Sequence, residues 1–509
     1  MTDLRREDGD HPESADLRLV PAAAAAWLGA AVTVARPSWI APAAGVAAAV
    51  LVTAPALAVL PALRRRRQPV ARVLPAAALA ALVLVGVLTV GVVLHHERSC
   101  GPLAEAVAGS WTATVRGAVT DDPVRLPESW TGSDPRVRFT LAVESVDARG
   151  RSRAARGDVV VLTGGAAPAL GATVVVAGRL RPPSIATSRT LGTLVSAAPA
   201  TTVRGPVGVA RWVAAVRASA RDVVARVPGD AGGLLLGVAL GDTSRVGDDL
   251  SEAFAVAGLT HLVAVSGSHF AIIGALVAAA AAACRLPRWG RAGAVLVADV
   301  LLVLLVGPQP SVLRAAVMGS VALTGLLAGR PSRGPAALAA AVLLLLLADP
   351  WLSVDLGFTL SVAATAAIVL LAGPWTQRWA PRLGRGPTAA IAVPLAAQLA
   401  CGPVLLAVRP QVGAYSILAN VLVAPAVGPA TVLGVAAALL APLWSGGALV
   451  LAHLGGAACW WIAAVARTVA RAPGAALGWA PGALGVVALA TVSVAGAALL
   501  HRAGRDPAR

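Results

Sequence analysis

Glu252-Ala-Phe-Ala-Val-Ala-Gly-Leu-Thr-His-Leu-Val-Ala-Val-Ser-Gly-Ser-His-Phe270 sets His261, Ser266, Ser268 and His269 into an otherwise apolar run, with Gly267 between the two serines. A glycine flanked by serines allows a membrane helix to break, and the freed backbone groups must then face protein or water. Transporters place their substrate sites at such breaks. Hydrogen bonding between helices by small polar residues is the plainer use of the same pattern. The surroundings favour a membrane setting. From 255 to 500 almost every residue is apolar, and the only acidic residues are Asp299, Asp349 and Asp355. Over all 509 residues, 57% are hydrophobic and only 13% charged, about half the charge of a soluble domain. Mean hydropathy is +0.76. The chain therefore reads as a polytopic α-helical membrane protein.

A crossing helix needs about 20 apolar residues. Stretches of that kind fall at 21–36, 38–62, 73–94, 255–284, 292–307, 311–328, 335–348, 354–372, 388–407, 414–441, 446–466 and 481–500, about 12 transmembrane helices. Pro425, Gly428 and Pro429 are expected to interrupt one of them. Arginines concentrate at 64–67, at 285, 288 and 291, at 330 and 333, and at 378, 382 and 385, that is, in every second loop of the downstream part. By the positive-inside rule those loops and the N-terminus are cytoplasmic, which puts residues 95–205 outside the cell. The expected organisation is a disordered cytoplasmic tail (1–20), N-terminal transmembrane helices (21–94), an extracytoplasmic β-domain (95–205), a basic amphipathic helix on the outer membrane surface (206–228), a transmembrane channel domain (229–500) and a cytoplasmic tail (501–509).

The exterior segment differs in kind. Apolar residues alternate at 111–119, 137–146, 158–162 and 173–180, and turn formers separate these runs. Period-two runs at this spacing predict a small all-β barrel or sandwich. Four or five strands suit an OB-like barrel, a scaffold that binds oligonucleotides or oligosaccharides. Trp111 and Phe139 are its candidate stacking residues, a weak platform.

Several chemistries are excluded or disfavoured. All 42 basic residues are arginine; without lysine there is no Walker A loop and no Schiff base. Cys100, Cys284, Cys401 and Cys459 are scattered, which fits neither a disulfide framework nor a metal site. No catalytic residue, metal or cofactor is expected.

The run Ala257-Gly-Leu-Thr-His-Leu-Val-Ala-Val-Ser-Gly-Ser-His269 resembles the signature of the ComEC-type competence proteins, close to AGLxHLLAISGLH. Further blocks similar to the family's follow in order: Leu234-Leu-Leu-Gly-Val-Ala-Leu-Gly-Asp242, Pro310-Ser-Val-Leu-Arg-Ala-Ala-Val-Met318, Ala348-Asp-Pro-Trp-Leu-Ser-Val-Asp-Leu-Gly-Phe-Thr-Leu-Ser361, Ala397-Gln-Leu-Ala400 and Ala419-Asn-Val-Leu-Val-Ala-Pro425. The resemblance runs from about 230 to 435. It implies an inner-membrane channel component that imports single-stranded DNA during natural transformation. It also implies that an exterior DNA receptor and a cytosolic translocation ATPase are separate proteins.

Two departures stand out. Ser268 replaces the family's usual leucine. Many members also carry a metallo-β-lactamase-like module with an HxHxDH cluster, and the seven histidines here form none; the resemblance is to the form lacking it, and any nuclease would be a separate protein. The DNA pathway is expected at His261, Ser266, Gly267, His269, Arg314, Gln398 and Asn420, with Asp299 pairing helices by orienting Arg314. A small-solute or envelope-lipid transporter on the same fold is an alternative. An intramembrane serine hydrolase with Ser266 as nucleophile is another, although the first glycine of a GxSG motif is replaced by Ala264 and no third group is evident.

Overall fold

Alternation of buried and exposed side chains organises the front of the molecule, and apolar helices the rest. The computed structural model describes residues 18–36, 39, 68–126, 136–185, 187–263, 265–307, 309–327 and 334–503. The expected span at 38–62, the arginine loop at 64–67, Arg330, Arg333 and most of the two terminal tails lie outside them.

Helices α1 (Val20–Ala35) and α2 (Gln68–Ser99) pack together, and the short α3 (Pro102–Ala108) leads into the β-domain. Strands β1 (Thr112–Val119), β2 (Val124–Arg125), β3 (Arg136–Ala148), β4 (Arg151–Gly164), β5 (Thr173–Arg181), β6 (Gly192–Val195) and β7 (Thr201–Arg204) follow. The sheet runs β1-β3-β4-β6-β5, and β5 pairs back onto β1, closing a five-stranded barrel. Every pairing is antiparallel except β4 with β6. Successive strand side chains point to opposite faces, so Val115, Phe139, Leu141, Val159, Val161, Val174 and Val176 fill the interior. Phe139 is thus a core residue and no stacking surface. Trp111 is covered by the Arg149 guanidinium, 3.8 Å from its ring centroid.

Helix α4 (Val209–Val224) was expected on the lipid surface. Instead its apolar positions, Val213, Val216, Ala220, Val223 and Val224, are buried against protein. Its partners are α5 (Asp230–Leu240), itself buried along almost its whole length, and the helices Ser416–Leu440 and Ser445–Ala470.

Next come α6 (Asp248–Val256), a one-turn helix at Thr260–Leu262, α7 (Gly267–Ala283), α8 (Arg288–Val306), α9 (Pro310–Leu327), α10 (Gly334–Ala348), α11 (Leu356–Ala367), α12 (Gly373–Leu383), α13 (Arg385–Leu406), α14 (Ser416–Leu440), α15 (Ser445–Ala470) and α16 (Gly482–Ala503). A π-turn, Ile368–Ala372, joins α11 to α12 without a loop. Strands β8 (Gln411–Gly413) and β9 (Ala476–Gly478) pair beyond the ends of α13 and α15. Seven helices among the described residues are long and apolar enough to cross a membrane, and five shorter apolar helices accompany them. Of the twelve stretches read from hydropathy, 38–62 lies outside the described residues save Trp39, and 21–36, 255–284, 311–328 and 335–348 correspond to the shorter helices α1, α7, α9 and α10.

Helix α14 is continuous through Pro425 and Pro429, contrary to the interruption expected there. A proline removes a backbone donor. Here Trp461 of α15 donates its indole N–H to the Leu422 carbonyl (2.9 Å), in the turn that Pro425 disturbs. The bond ties α15 to α14 one residue past Val421, whose carbonyl loses its helical donor at Pro425.

The barrel meets one end of the helical half. Arg98 donates to the Ser188 carbonyl (2.8 Å) and lies 4.2 Å over the Trp351 ring, while Arg189 pairs with Asp349 (3.4 Å). The loop between α10 and α11 therefore shares that end with the barrel.

Candidate functional site

The chain leaves helical geometry between α6 and α7. Gly258 adopts φ +69°, and a β-carbon there would stand 2.7 Å from that of Ser416. Both the left-handed backbone and the close approach of α14 require glycine at this position. Asn420, one turn along α14, donates to the Ser416 carbonyl (2.8 Å) and reaches the Gly258 carbonyl (3.5 Å). Asn420 is therefore a brace of the break. Ser311, at the start of α9, donates to the Val265 carbonyl (3.2 Å), closing the break from the other side.

Helix α7 restarts at Gly267 with Ser266 as its N-cap. The Ser266 backbone N–H donates to His269 Nδ1 (3.0 Å), and the Ser266 hydroxyl lies 3.1 Å from the same nitrogen and 2.8 Å from the Ser268 hydroxyl. This is a capping box with histidine in the place usually held by Glu or Gln. Because Nδ1 accepts a hydrogen bond, the neutral ring carries its proton on Nε2. That nitrogen is buried with no partner, in a side chain only 1% exposed. Gly267 has no positive φ, and a β-carbon there would touch only that of Ala315, at 3.9 Å.

Ala315 is the neighbour of Arg314, which is 3% exposed and whose Nε and Nη1 find no partner. Asp299, 6% exposed on α8, also leaves Oδ1 unsatisfied. No ion pair joins Asp299 to Arg314 among the described residues, so the pairing expected of them is not made. Register explains this: Asp299 Oδ2 faces Gly319, five residues past Arg314 and about 7.5 Å further along α9. Buried polar atoms without partners are rare and costly. Three of the residues that carry them, His269, Asp299 and Arg314, lie on α7, α8 and α9, which pack on one another.

His261 is exposed beside the break. Gln398, on α13, is half-buried and makes no side-chain hydrogen bond among the described residues. The structure thus gathers Ser266, Gly267, His269, Arg314 and Asn420 around the break, with His261 at its edge, while Gln398 stands on a different helix.

Sequence reasoning missed a second cluster. Arg217 of α4, 2% exposed, pairs with Asp122 of the barrel and donates to the carbonyls of Leu240 (3.1 Å) and Leu305. Arg221 holds Asp122 (3.3 Å) and Asp242 (2.6 Å), and Asp242 also accepts from the Ser244 hydroxyl (2.6 Å). Burial lifts the Asp122 carboxyl above the usual carboxylate value against the pull of Arg217. Burial also pushes Asp242 upward, but the bonds from Ser244 and Arg221 outweigh it and hold that carboxyl below the usual value. Helical spacing of Arg217 and Arg221 was visible in the sequence; their partners, about a hundred residues upstream and twenty downstream, were not.

No group of three or more potential metal ligands occurs among the described residues.

The helices that surround the break belong to a stretch with known relatives. ComE operon protein 3 of Bacillus subtilis (strain 168) is 32% identical over 199 residues, which cover 39% of this chain and 25% of the relative's length. No solved structure matches. The family described as Competence protein matches residues 238–504, more than half of the chain, from the end of α5 through α16 and including the break, His269 and Arg314. The chain belongs to the Competence protein family.

Proposed function

We propose that this chain is a channel component of the cytoplasmic membrane that carries single-stranded DNA inward during natural transformation. The observation that carries the reading is Arg314: a buried guanidinium with unsatisfied nitrogens and no carboxylate partner, beside a broken membrane helix. An unpaired charge in such a place is costly. A passing polyanion offsets that cost, since its phosphates attract cations regardless of sequence and fit the guanidinium fork. Family membership supports a role in competence.

In this reading about twelve helices cross the bilayer, with the N-terminus cytoplasmic. The barrel stands outside as an OB-like receiving domain, an assignment supported by its five-stranded closure with one parallel pair. The chain is not itself an enzyme. An exterior DNA receptor, a cytosolic translocation ATPase and any nuclease are separate proteins. The Ser266–His269 contact has the reach of a nucleophile and base, yet Nδ1 is engaged by backbone and no carboxylate orients Nε2, so the pair reads as a helix cap.

Gly267→Leu tests the pathway. The first side-chain carbon fits, meeting only Ala315, and leucine adds three more carbons to the break. The variant should insert normally and lower transformation by about an order of magnitude. Normal transformation with normal expression would refute a path through the break.

A further inference from the structure

A cavity of about 460 Å³ lies where the barrel meets the helical half. Its walls come from Asp122 and Arg125 of the barrel, the 167–170 turn between β4 and β5, Arg217 and Arg221 of α4, and Arg245 in the loop that leaves α5. The volume falls within the range of small-ligand sites, about 300–1,000 Å³.

The charge arithmetic within it is uneven. Arg217 and Arg221 are neutralised by Asp122 and Asp242. Arg125 and Arg245 are exposed, and their side chains make no hydrogen bond or ion pair among the described residues. The lining therefore keeps two uncompensated cations. Pro123, Pro168 and Leu170 make part of the wall apolar, and low-dielectric walls concentrate the field of charges that line a cleft. No aromatic side chain lines the cavity, so it offers no aromatic platform for a base.

Two unpaired guanidinium groups, nucleotide-sized room and no aromatic platform suit a ligand held by its phosphate backbone. We infer that this cavity is a phosphodiester-binding site at which single-stranded DNA passes from the barrel to the helical half. The inference rests on the DNA-import reading and adds to it a place: Arg125 and Arg245 hold the strand's phosphates, while the Asp122–Arg217 and Arg221–Asp242 pairs fix the frame around them. Recognition at this point is indifferent to base sequence.

The test uses the full-length protein in lipid nanodiscs and the fluorescence anisotropy of a labelled oligothymidine, titrated over a series of salt concentrations. Arg125→Gln with Arg245→Gln should weaken binding about tenfold or more and flatten the slope of log affinity against log salt by about 1.4, the loss of two phosphate contacts on a single strand. Neither side chain has a partner to lose, so the variant should fold. Arg151→Gln with Arg156→Gln, two exposed and unpaired arginines of β4 outside the cavity, should change affinity far less. Equal losses in the two double variants, or none in the first, would overturn the site and leave DNA import standing. Failure of the wild type to bind would overturn the import reading and the site with it.

Discussion

Arg217 shows how one residue joins two halves of a chain. Its Nη2 takes a carboxylate from the barrel, its Nη1 takes carbonyls at the ends of α5 and α8, and its stem fills the face of α4. Removing one partner of a buried pair strands the other charge, so the joint responds to the protonation of Asp122 and Asp242. Their shifts run in opposite directions. Asp122, raised above its ordinary 3.8, binds its proton more tightly in the folded chain and adds stability as pH falls from neutral toward that value. Asp242, held below 3.8, adds stability above that value and loses it as pH falls through its own lower one. In thermal unfolding across a pH series, the advantage of wild type over Asp122→Asn should therefore grow on mild acidification. The advantage over Asp242→Asn should shrink only below 3.8. Two differences that stay flat with pH would contradict this account of the joint.

At the scale of elements, what could be read beforehand followed from spacing, and what could not followed from contact. Period-two alternation located β1, β3 and β5 to within a few residues and the second half of β4, but β6 and β7 are four residues each, too short to show a period. Gly267 between two serines marked the break correctly in place, although the residue that needs a left-handed backbone is Gly258. The continuity of α14 through two prolines was illegible, as was the indole of α15 that bonds its backbone beside Pro425. Trp461→Phe keeps an aromatic ring but removes the N–H together with the pyrrole half of the indole. It should cost at least about 0.5–1.5 kcal/mol, the usual net worth of one hydrogen bond, with lost ring contacts adding to it, read as a lower unfolding midpoint in detergent. An unchanged midpoint would mean that the proline-disturbed turn is satisfied in another way.

On the scale of the whole molecule, a closed barrel stands on one end of a helical bundle, and a cavity with two spare arginines lies at the joint. Within the bundle, three packed helices bury a histidine, an arginine and an aspartate whose polar groups are unmet. Membrane character was legible from composition, and the family from blocks such as 257–269. The closeness of Asp122 to Arg217, 95 residues apart in sequence, was not, because ion-pair partners leave no periodic trace. The unmet groups also escaped notice, since Asp299 and Arg314 look like a pair until their register along α8 and α9 is known. Import of DNA past Arg314 and His269 is the central claim, and transformation frequency in a host strain deleted for this gene tests it most directly, with complementation by wild type, His269→Ala or Arg314→Ala. The account predicts loss on deletion, recovery with wild type and no recovery with either variant when expression is equal. Undiminished transformation in the deleted strain would contradict it.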